Sequence, residues 1–486
     1  MVSKSKAKKE QLRQKASGTP EKRKFEVLQP VELDDEELML TIETLESLTN
    51  EPAMLRHKTI KPLKTAIHNF MRAAAAATSS GSLTNRISDA LTDARWVDAR
   101  VLLAEFRIRG EDVRLGTLQR WVREVDAAAA SGTDVGVSAD VFLTLDAILR
   151  ATSVKKDGSA NGTAGGARSS QKRSIEAKTS DGLYEADSSG VITFDPPVSF
   201  NQSSGLQLYQ DVLSGAIFED RSAQSWRQNA KIVEITPAAA RKPPNQYDAR
   251  IYTTIDPLIG EVPPETTSRH DIPAVPGAFI IEGLLTSEEC RNIIRQGEAV
   301  EFSPDCAVAG SATQQASILA HNFYYYSDDQ TLARIYNRAL PFLPESIEGC
   351  AVKGINARFR VYRYVPGAVY RPHIDGSWPR SGLDSTKPEG SQYIYDDTRD
   401  GAQLSRLTFL IYLNDDFEEG YTTFFIPDNQ PEKLRGVRVV PRIGSVLVFP
   451  HGDSIGALLH EGSSVKSGAK YVIRTDVLYE KSEVKK

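Results

Sequence analysis

Cysteine is scarce in this chain, with three residues among 486, at Cys290, Cys306 and Cys350. Their spacing matches no zinc motif, and three cysteines cannot form the disulfide framework of a small secreted domain. Runs of apolar residues long enough to cross a bilayer are also lacking, as is an apolar signal segment at the N-terminus. We therefore expect an intracellular protein, cytoplasmic or nuclear, with no membrane span.

A large excess of charge of either sign is absent, because the formal net charge is -5 at pH 7. This balance argues against a chain that binds nucleic acid over much of its surface. Residues 1–30 are the exception: they are polar and basic, and we predict a disordered tail. A nuclear localisation signal and an arm that contacts phosphate are the alternatives for this tail.

Residues 31–151 carry the apolar periodicity of helices, and we predict a small all-α domain there. The pattern predicts helices at about 35–48, 59–77, 88–108, 115–129 and 138–151. The domain contains no group of residues typical of catalysis, and recruitment of a partner is one role open to it. The basic face of the segment Asp112 to Arg123 suits DNA or an acidic partner, although a solvated helix is favoured. Residues 152–180 are rich in Ser, Gly, Thr and Lys and are predicted to be a flexible linker.

Residues 272–481 have the pattern of a second, mixed domain, and residues 181–271 are predicted to be an extension that packs on it. The domain begins with a strand and a helix capped by Thr286 or Ser287, and a further helix is expected at about 330–340. Short strands follow, which indicates a β-sandwich or jelly roll. The clearest predicted strands are 359–364, 406–413, 422–426, 438–441, 445–449 and 471–479. The predicted fold class is therefore α+β.

The stretch Arg358 to Asp375 is predicted to be an alternating strand that ends in a His-x-Asp motif, His373 and Asp375. Side chains two residues apart lie on one face of a strand, so the imidazole and the carboxylate project together. With one further histidine they form the 2-His-1-carboxylate arrangement that holds non-haem Fe(II). His460 is the predicted third ligand, because the 85 residues after Asp375 leave room for several strands.

A second His-x-Asp motif, His451-Gly452-Asp453, competes with the first. It follows the end of a predicted strand, and its glycine makes Asp453 better explained as a turn residue. His460 follows it too closely for strands to intervene. We therefore favour the first motif, while ordinary surface or core histidines are the alternative for both.

Three protein ligands leave three positions of an iron ion for a chelating 2-oxo acid and O₂. The far carboxylate of a 2-oxo acid requires a cation, and Lys470, across a turn from His460, is expected to supply it. Arg474 is the second candidate, although an ion pair with an acidic residue is favoured for it.

Four polar side chains near these residues are expected to face the same cavity: Thr408, Tyr412, Tyr364 and Tyr370. Thr408 and Tyr412 share one face of a predicted strand, and each can donate a hydrogen bond. Contact with the 2-oxo acid and plain packing are both open for all four.

Residues 273–480 resemble the prolyl 4-hydroxylase-like branch of the Fe(II)- and 2-oxoglutarate-dependent dioxygenases. The matching segments, which agree in order and spacing, are FRVYRYVPGAVYRPHID, RLTFLIYLNDDFEEGYTTFF, VVPRIGSVLVFPH and LLHEGSSVKSGAKYVIRTDVLY. The resemblance implies a double-stranded β-helix, Fe(II) bound by the three predicted ligands, and 2-oxoglutarate bound by Lys470 with Tyr412 or Tyr364 assisting. It also implies that ascorbate supports the enzyme.

The chain departs from this branch at two places. Tyr421 stands where the family has the second glycine of a GGxT turn, and residues 377–405 form a long polar insert that is predicted to cover the substrate. Arg358, Arg363 and the insert are candidates for substrate contact by location alone. Collagen-type substrates are not expected, since the signal peptide and disulfides of the secreted members are lacking.

The predicted function is therefore hydroxylation of an unidentified substrate, with a prolyl or other residue of a protein favoured, and release of succinate and CO₂. One alternative keeps this chemistry and changes the substrate to a small molecule or a nucleobase. Another is a jelly-roll binding module without a metal.

Overall fold

The computed structural model describes residues 35–49, 57–78, 81–125, 139–152, 184–186, 191–196, 207–241, 245–305, 319–452, 454 and 458–481. The chain divides into two compact units, residues 1–80 and residues 81–486. The predicted basic tail and all but the first residue of the predicted linker lie outside the described residues. Within the described ranges, no helix combines the length and the apolar character that crossing a membrane requires.

The described part of the first unit is helical, as predicted. Helix α1 spans Asp35–Thr49 and helix α2 spans Lys61–Thr78, preceded by a 3₁₀ turn at Lys58–Ile60. The apolar stripe of α1 is not buried, because Leu38 and Ile42 are 44% and 41% exposed. Periodicity therefore predicts these helices correctly without predicting a core around them.

The second unit begins with four helices: α3 (Leu83–Thr92), α4 (Trp96–Arg109), α5 (Leu115–Val125) and α6 (Ala139–Thr152). They pack around buried side chains that include Phe106 and Trp121, whose rings meet edge to face at 5.8 Å. The end of α4 at Gly110, which has a φ of 60°, agrees with the prediction. The predicted end of the next helix at residue 129 lies outside the described residues.

The prediction of one helix at 88–108 is wrong. The chain turns between α3 and α4, where Asp93 ends the earlier helix and Ala94 has a φ of 53°. A residue in the left-handed region cannot continue a right-handed helix, so the hydrophobic pattern of two short helices reads as one.

The remaining helices accompany the strands: α7 (Leu208–Ser214), α8 (Ala223–Gln228), α9 (Ser287–Val300) and α10 (Asp329–Ala339). Thr286 caps α9 as predicted, and a capping box links its hydroxyl and backbone to Glu289.

Most of the second unit is β-structure. In chain order the strands are β1 (Tyr184–Ala186), β2 (Ile192–Phe194), β3 (Ala230–Thr236), β4 (Ala249–Thr254), β5 (Ser268–Asp271), β6 (Phe279–Glu282), β7 (His321–Tyr326), β8 (Ser346–Ile347), β9 (Cys350–Ile355), β10 (Arg358–Tyr364), β11 (Tyr370–Ile374), β12 (Gly382–Leu383), β13 (Tyr393–Ile394), β14 (Gln403–Tyr412), β15 (Glu418–Glu419), β16 (Thr422–Pro427), β17 (Leu434–Val439), β18 (Val446–Pro450), β19 (Leu459–Gly462), β20 (Val465–Ser467) and β21 (Lys470–Lys481).

Two large sheets face each other. The major sheet has the order β3-β4-β7-β10-β21-β14-β18-β6-β5, with β8 and β9 beside β21, and the minor sheet has the order β1-β2-β17-β16-β19-β11. The predicted jelly roll, and with it the α+β fold class, is confirmed. Strands β2, β3 and β4, from the predicted extension, join the edges of these sheets.

Alternation along the strands buries the major sheet on both faces. Phe359 and Val361 of β10 enter the core under α9 and α10, whereas Tyr362 and Tyr364 enter the core between the sheets. The inner face of the major sheet also carries polar side chains, among them Thr408, Lys470 and Arg474. The inner faces of the two sheets carry the candidate site.

Helices α3–α6 share a core with the outer face of the minor sheet. Ile374, Phe425 and Leu459 are each at most 6% exposed and pack with the helical side chains. The predicted domain boundary at residues 152–180 remains a prediction, whereas the compact units divide after Ser80.

Candidate metal centre

Two neighbouring strands of the minor sheet bring the predicted ligands together. His373 of β11 and His460 of β19 are directly paired in antiparallel register. The strand β11 begins after a tight turn at Gly367, which has a φ of 84°, a conformation that favours glycine. Asp375 follows β11 and lies two residues from His373, on the same face.

The three side chains form a compact cluster. Their candidate ligand atoms all lie within 4.8 Å of one another. His373 Nε2 is 3.5 Å from Asp375 Oδ1, and His460 Nε2 is 3.8 Å from Asp375 Oδ2. The imidazole rings of the two histidines are 4.3 Å apart between centroids. A cation can therefore contact all three groups at once.

Hydrogen bonds orient both histidines for a metal. The Nδ1–H of His373 donates to the carbonyl of Arg371 at 2.8 Å, and that of His460 donates to the carbonyl of Leu458 at 3.1 Å. These bonds leave the Nε2 lone pairs directed at the cluster, as in metal-binding histidines. Burial, together with the neighbouring His373, lowers the pKa of His460 to about 3, so this imidazole is neutral at pH 7.

Asp375 is held as a carboxylate. Although burial acts to raise its pKa, Arg474 and the bond with His373 outweigh it and hold the pKa well below the usual range. Arg474 Nη2 lies 3.5 Å from Asp375 Oδ1 and 3.1 Å from Asp476 Oδ1. The ion pairs that the sequence favoured for Arg474 are therefore present. Two imidazoles and one carboxylate are donors that fit Fe(II).

A chain of hydrogen bonds behind Asp375 was not predicted from the sequence. The Thr408 hydroxyl donates to Asp375 Oδ2 at 2.7 Å and accepts from His451 Nδ1 at 2.8 Å. Ser405 Oγ lies 2.8 Å from His451 Nε2 and accepts from the backbone N–H of Trp378. With His451 protonated at Nδ1, every donor in the chain points toward Asp375.

His451 thus supports the cluster and is not one of its three residues. It is fully buried, and Asp453, its partner in the rival motif, lies outside the described residues. From the sequence, the supporting role of His451 was not predicted. The one related prediction was that Thr408, its hydrogen-bond partner, faces the interior. For Thr408, contact with 2-oxoglutarate and plain packing were both open from the sequence, and its hydroxyl is bonded to Asp375 and His451.

Lys470 is a buried cation without a described acidic partner. Its side chain is 2% exposed, and its Nζ donates to the carbonyl of Gly420 at 2.7 Å. The rings of Tyr364 and Tyr412 each lie 5.4 Å from Nζ. Among the described residues no carboxylate forms an ion pair with it, and burial alone lowers the pKa of Lys470 to about 7. A buried ammonium in this setting favours an anionic ligand.

Of the other predicted polar residues, Tyr364 and Tyr412 belong to the core between the sheets, and Tyr370 packs against it. Tyr412 and Thr422 share a hydrogen bond at 2.8 Å. The ring of Tyr370 packs on the imidazole of His373 at 4.3 Å. Tyr364 is buried and pairs with Lys470 across β10 and β21.

Arg363, Arg358 and the insert, which are the candidates for substrate contact, each contact other parts of the protein. Arg363 forms an ion pair with Glu298 at 2.9 Å, on the face of β10 turned from the cluster. Arg358 is sandwiched between aromatic rings, 4.5 Å from Tyr324 and 4.3 Å from Trp378. The insert 377–405 folds into the hairpin β12–β13 and hydrogen-bonds to β3.

Fold and site together resemble one class of enzyme. A jelly roll that encloses two histidines, a carboxylate and a buried lysine has the arrangement typical of Fe(II)- and 2-oxoglutarate-dependent oxygenases. Sequence comparison agrees: 118 residues are 35% identical to a protein of Acanthamoeba polyphaga mimivirus that is named, provisionally, as a prolyl 4-hydroxylase. The match covers 23% of this chain, and the chain spans 41% of that relative. The resemblance to the prolyl 4-hydroxylase-like branch is thus confirmed, and no family model matches.

Solved structures with a similar chain course include two prolyl hydroxylases. The viral collagen prolyl hydroxylase of Paramecium Bursaria Chlorella virus-1 is 18% identical and has a TM-score of 0.27, over 42% of this chain and 96% of its own. A Pseudomonas putida prolyl-4-hydroxylase is 17% identical, with a TM-score of 0.25, over 43% and 91%. HygX of Streptomyces hygroscopicus, solved with nickel, 2-oxoglutarate and hygromycin B, is 18% identical, with a TM-score of 0.26, over 43% and 84%.

Proposed function

We propose that the chain is an Fe(II)- and 2-oxoglutarate-dependent dioxygenase. The observation that carries the proposal is the presence of two features that face the core between the two sheets, one on each sheet. One is the cluster of His373, Asp375 and His460, and the other is the buried ammonium of Lys470. A metal cation accounts for the first, and an anion that reaches between them accounts for the second.

Each residue has a distinct role in this proposal. His373, Asp375 and His460 bind Fe(II), which supplies the activation of O₂ when bound. Lys470 binds the far carboxylate of 2-oxoglutarate, with Tyr364 and Tyr412 beside it. Arg474 and Thr408 keep Asp375 ionised and oriented. The buried, largely apolar surroundings exclude water from the reacting groups.

A residue of a protein, prolyl or other, is the favoured substrate. The name of the mimivirus relative supports this choice. Hydroxylation would release succinate and CO₂, and ascorbate would sustain turnover. A small molecule or a nucleobase is the alternative substrate.

Succinate formation tests the proposal. Purified protein with Fe(II), 2-oxoglutarate and ascorbate is expected to release succinate slowly without substrate, and faster with a proline-containing peptide pool. The variant His373→Ala is expected to release none. Equal succinate output from this variant and the wild type would overturn the assignment of the metal ligands, and a metal-free binding module would then be favoured.

A further inference from the structure

The helices α3–α6 lie directly behind the candidate metal ligands. Ile374, between His373 and Asp375, pairs in the sheet with Leu459, the neighbour of His460. Because side chains alternate along a strand, these apolar residues point away from the cluster and into the helical core. The helices therefore pack against the outer face of both strands that carry the candidate ligands.

A hydrogen bond joins helix α5 to the strand that carries His373. Gln119 of α5 donates from Nε2 to the backbone carbonyl of Ile374 at 2.9 Å. Strand β11 ends the order of the minor sheet, so one of its edges has no neighbouring strand among the described residues. Ile374 is buried, and a buried backbone carbonyl requires a hydrogen-bond donor. The Gln119 amide satisfies the carbonyl that lies between two metal ligands.

The next carbonyl in the chain is also held. The backbone N–H of Gly452 donates to the carbonyl of Asp375 at 2.9 Å. The segment His373–Asp375 is thus fixed from the helices at one residue and from the main domain at the next. Loss of either bond would free the backbone that sets the distance between the imidazole and the carboxylate.

We propose that Gln119 is a positioning residue for the metal centre, and that helices α3–α6 are a working part of the oxygenase site. This inference rests on the proposed function, since it assumes that His373 and Asp375 bind a metal. It gives the N-terminal helices a role in the site itself, beyond the recruitment of a partner.

A second anchor of the same helices provides a matched control. Arg150 of α6 donates to the carbonyls of Asp428 and Gln430 at 2.8 and 2.9 Å, in the turn between β16 and β17. It fastens the helices to the minor sheet without touching the ligand segment. Replacing Arg150 should weaken packing of the helices and leave His373 and Asp375 in place.

The test measures Co(II) binding to the full chain by the visible absorption of the bound ion, with circular dichroism as a check on folding. Gln119→Met keeps length and helix propensity but removes the donor, and it is expected to weaken Co(II) binding about 10-fold. Arg150→Met is expected to lower the melting temperature but to change Co(II) affinity less than about twofold. Gln119→Lys, which keeps an N–H donor, is expected to restore most of the affinity.

The outcomes separate the two proposals. No Co(II) binding by the wild type would overturn the proposed function, and this inference with it. Wild-type binding that is unchanged in Gln119→Met would overturn the inference alone. Equal losses in Gln119→Met and Arg150→Met, or no rescue by Gln119→Lys, would also overturn it, because general docking of the helices would then explain the effect.

Discussion

At the scale of single residues, Lys470 carries the most specific information about the ligand. An ammonium that is 2% exposed and has no described acidic partner destabilises the folded protein unless an anion joins it. We expect Lys470→Met to weaken 2-oxoglutarate binding by about 2–5 kcal/mol. The same variant should raise the melting temperature of the ligand-free protein, since it removes the buried cation.

Calorimetry and thermal unfolding check both effects. Lys466→Met is the matched control, because Lys466 lies nearby in the chain, on β20, but forms an exposed ion pair with Glu418 at 3.1 Å. Surface pairs of this kind contribute about 0–1 kcal/mol. A Lys470→Met variant that binds 2-oxoglutarate as the wild type does would remove Lys470 from the site.

The pKa of Lys470 predicts how binding depends on pH. Burial lowers this pKa to about 7, so the ammonium is present below pH 7 and is lost as the pH rises. Since a carboxylate requires the charged form, the affinity for 2-oxoglutarate should fall about tenfold per pH unit above pH 8. Titrations of the metal-loaded protein at pH 6.5, 7.5 and 8.5 measure this slope. If the affinity of Lys470→Met for 2-oxoglutarate falls with pH by the same slope, a group other than Lys470 causes the pH dependence.

Variants of Thr408 distinguish two roles for this residue, positioning of the metal ligand Asp375 and contact with the 2-oxo acid. Thr408→Val keeps the shape and removes the donor to Asp375, so Fe(II) affinity should fall about 10-fold. Thr408→Ser keeps the hydroxyl and should behave as the wild type. The affinity of the metal-loaded protein for 2-oxoglutarate should not change in either variant. If it falls in Thr408→Val alone, the contact expected from the sequence is the correct one.

The cluster was accessible from the sequence because it depends on local spacing. His373 and Asp375 are two residues apart in the chain, and His460 pairs with His373 in the minor sheet. The expected turn from His460 to an adjacent strand with Lys470 is wrong, because Lys470 begins β21 of the major sheet. His451 and Gln119 were not accessible, because their roles depend on contacts with Thr408 and Ile374 across 43 and 255 residues. No pattern in one sequence reports such pairs.

At the scale of elements, the capping of helix α9 by Thr286 was predicted from the sequence and is present in the structure. Thr286 accepts from the backbone N–H of Glu289 at 3.2 Å, and the Glu289 side chain returns a bond to the cap. Thr286→Ala should therefore lower the free energy of unfolding by about 1 kcal/mol, and Thr286→Ser by a few tenths. Urea unfolding measures both. Equal midpoints for Thr286→Ala and the wild type would show that the cap is dispensable.

The break between α3 and α4 shows where such rules fail. Periodicity alone joined the two helices, since the turn at Ala94 contains no glycine or proline to mark it. Packing against Phe106 and Trp121 fixes the break, and packing is not visible in a single helical pattern.

At the scale of the whole molecule, the helices and the jelly roll act as one compact unit from residue 81 onward. A chain that begins at residue 81 keeps the core around Ile374, Phe425 and Leu459, whereas one that begins at residue 153 exposes it. We expect the shorter chain to lose several kcal/mol of stability, because burying each large apolar side chain contributes about 1.5–3 kcal/mol. Thermal unfolding of the two truncated chains tests this, and equal melting temperatures would contradict the shared core.

The central claim is that Fe(II) and 2-oxoglutarate meet at one site on the jelly roll. Anaerobic titration of the wild type with Fe(II) and 2-oxoglutarate, followed by visible absorption, tests it most directly. The claim predicts a weak charge-transfer band that saturates at one Fe(II) and one 2-oxoglutarate per chain and is absent in His373→Ala. A wild-type sample that binds both ligands without the band, or a His373→Ala sample that shows the same band, would contradict it.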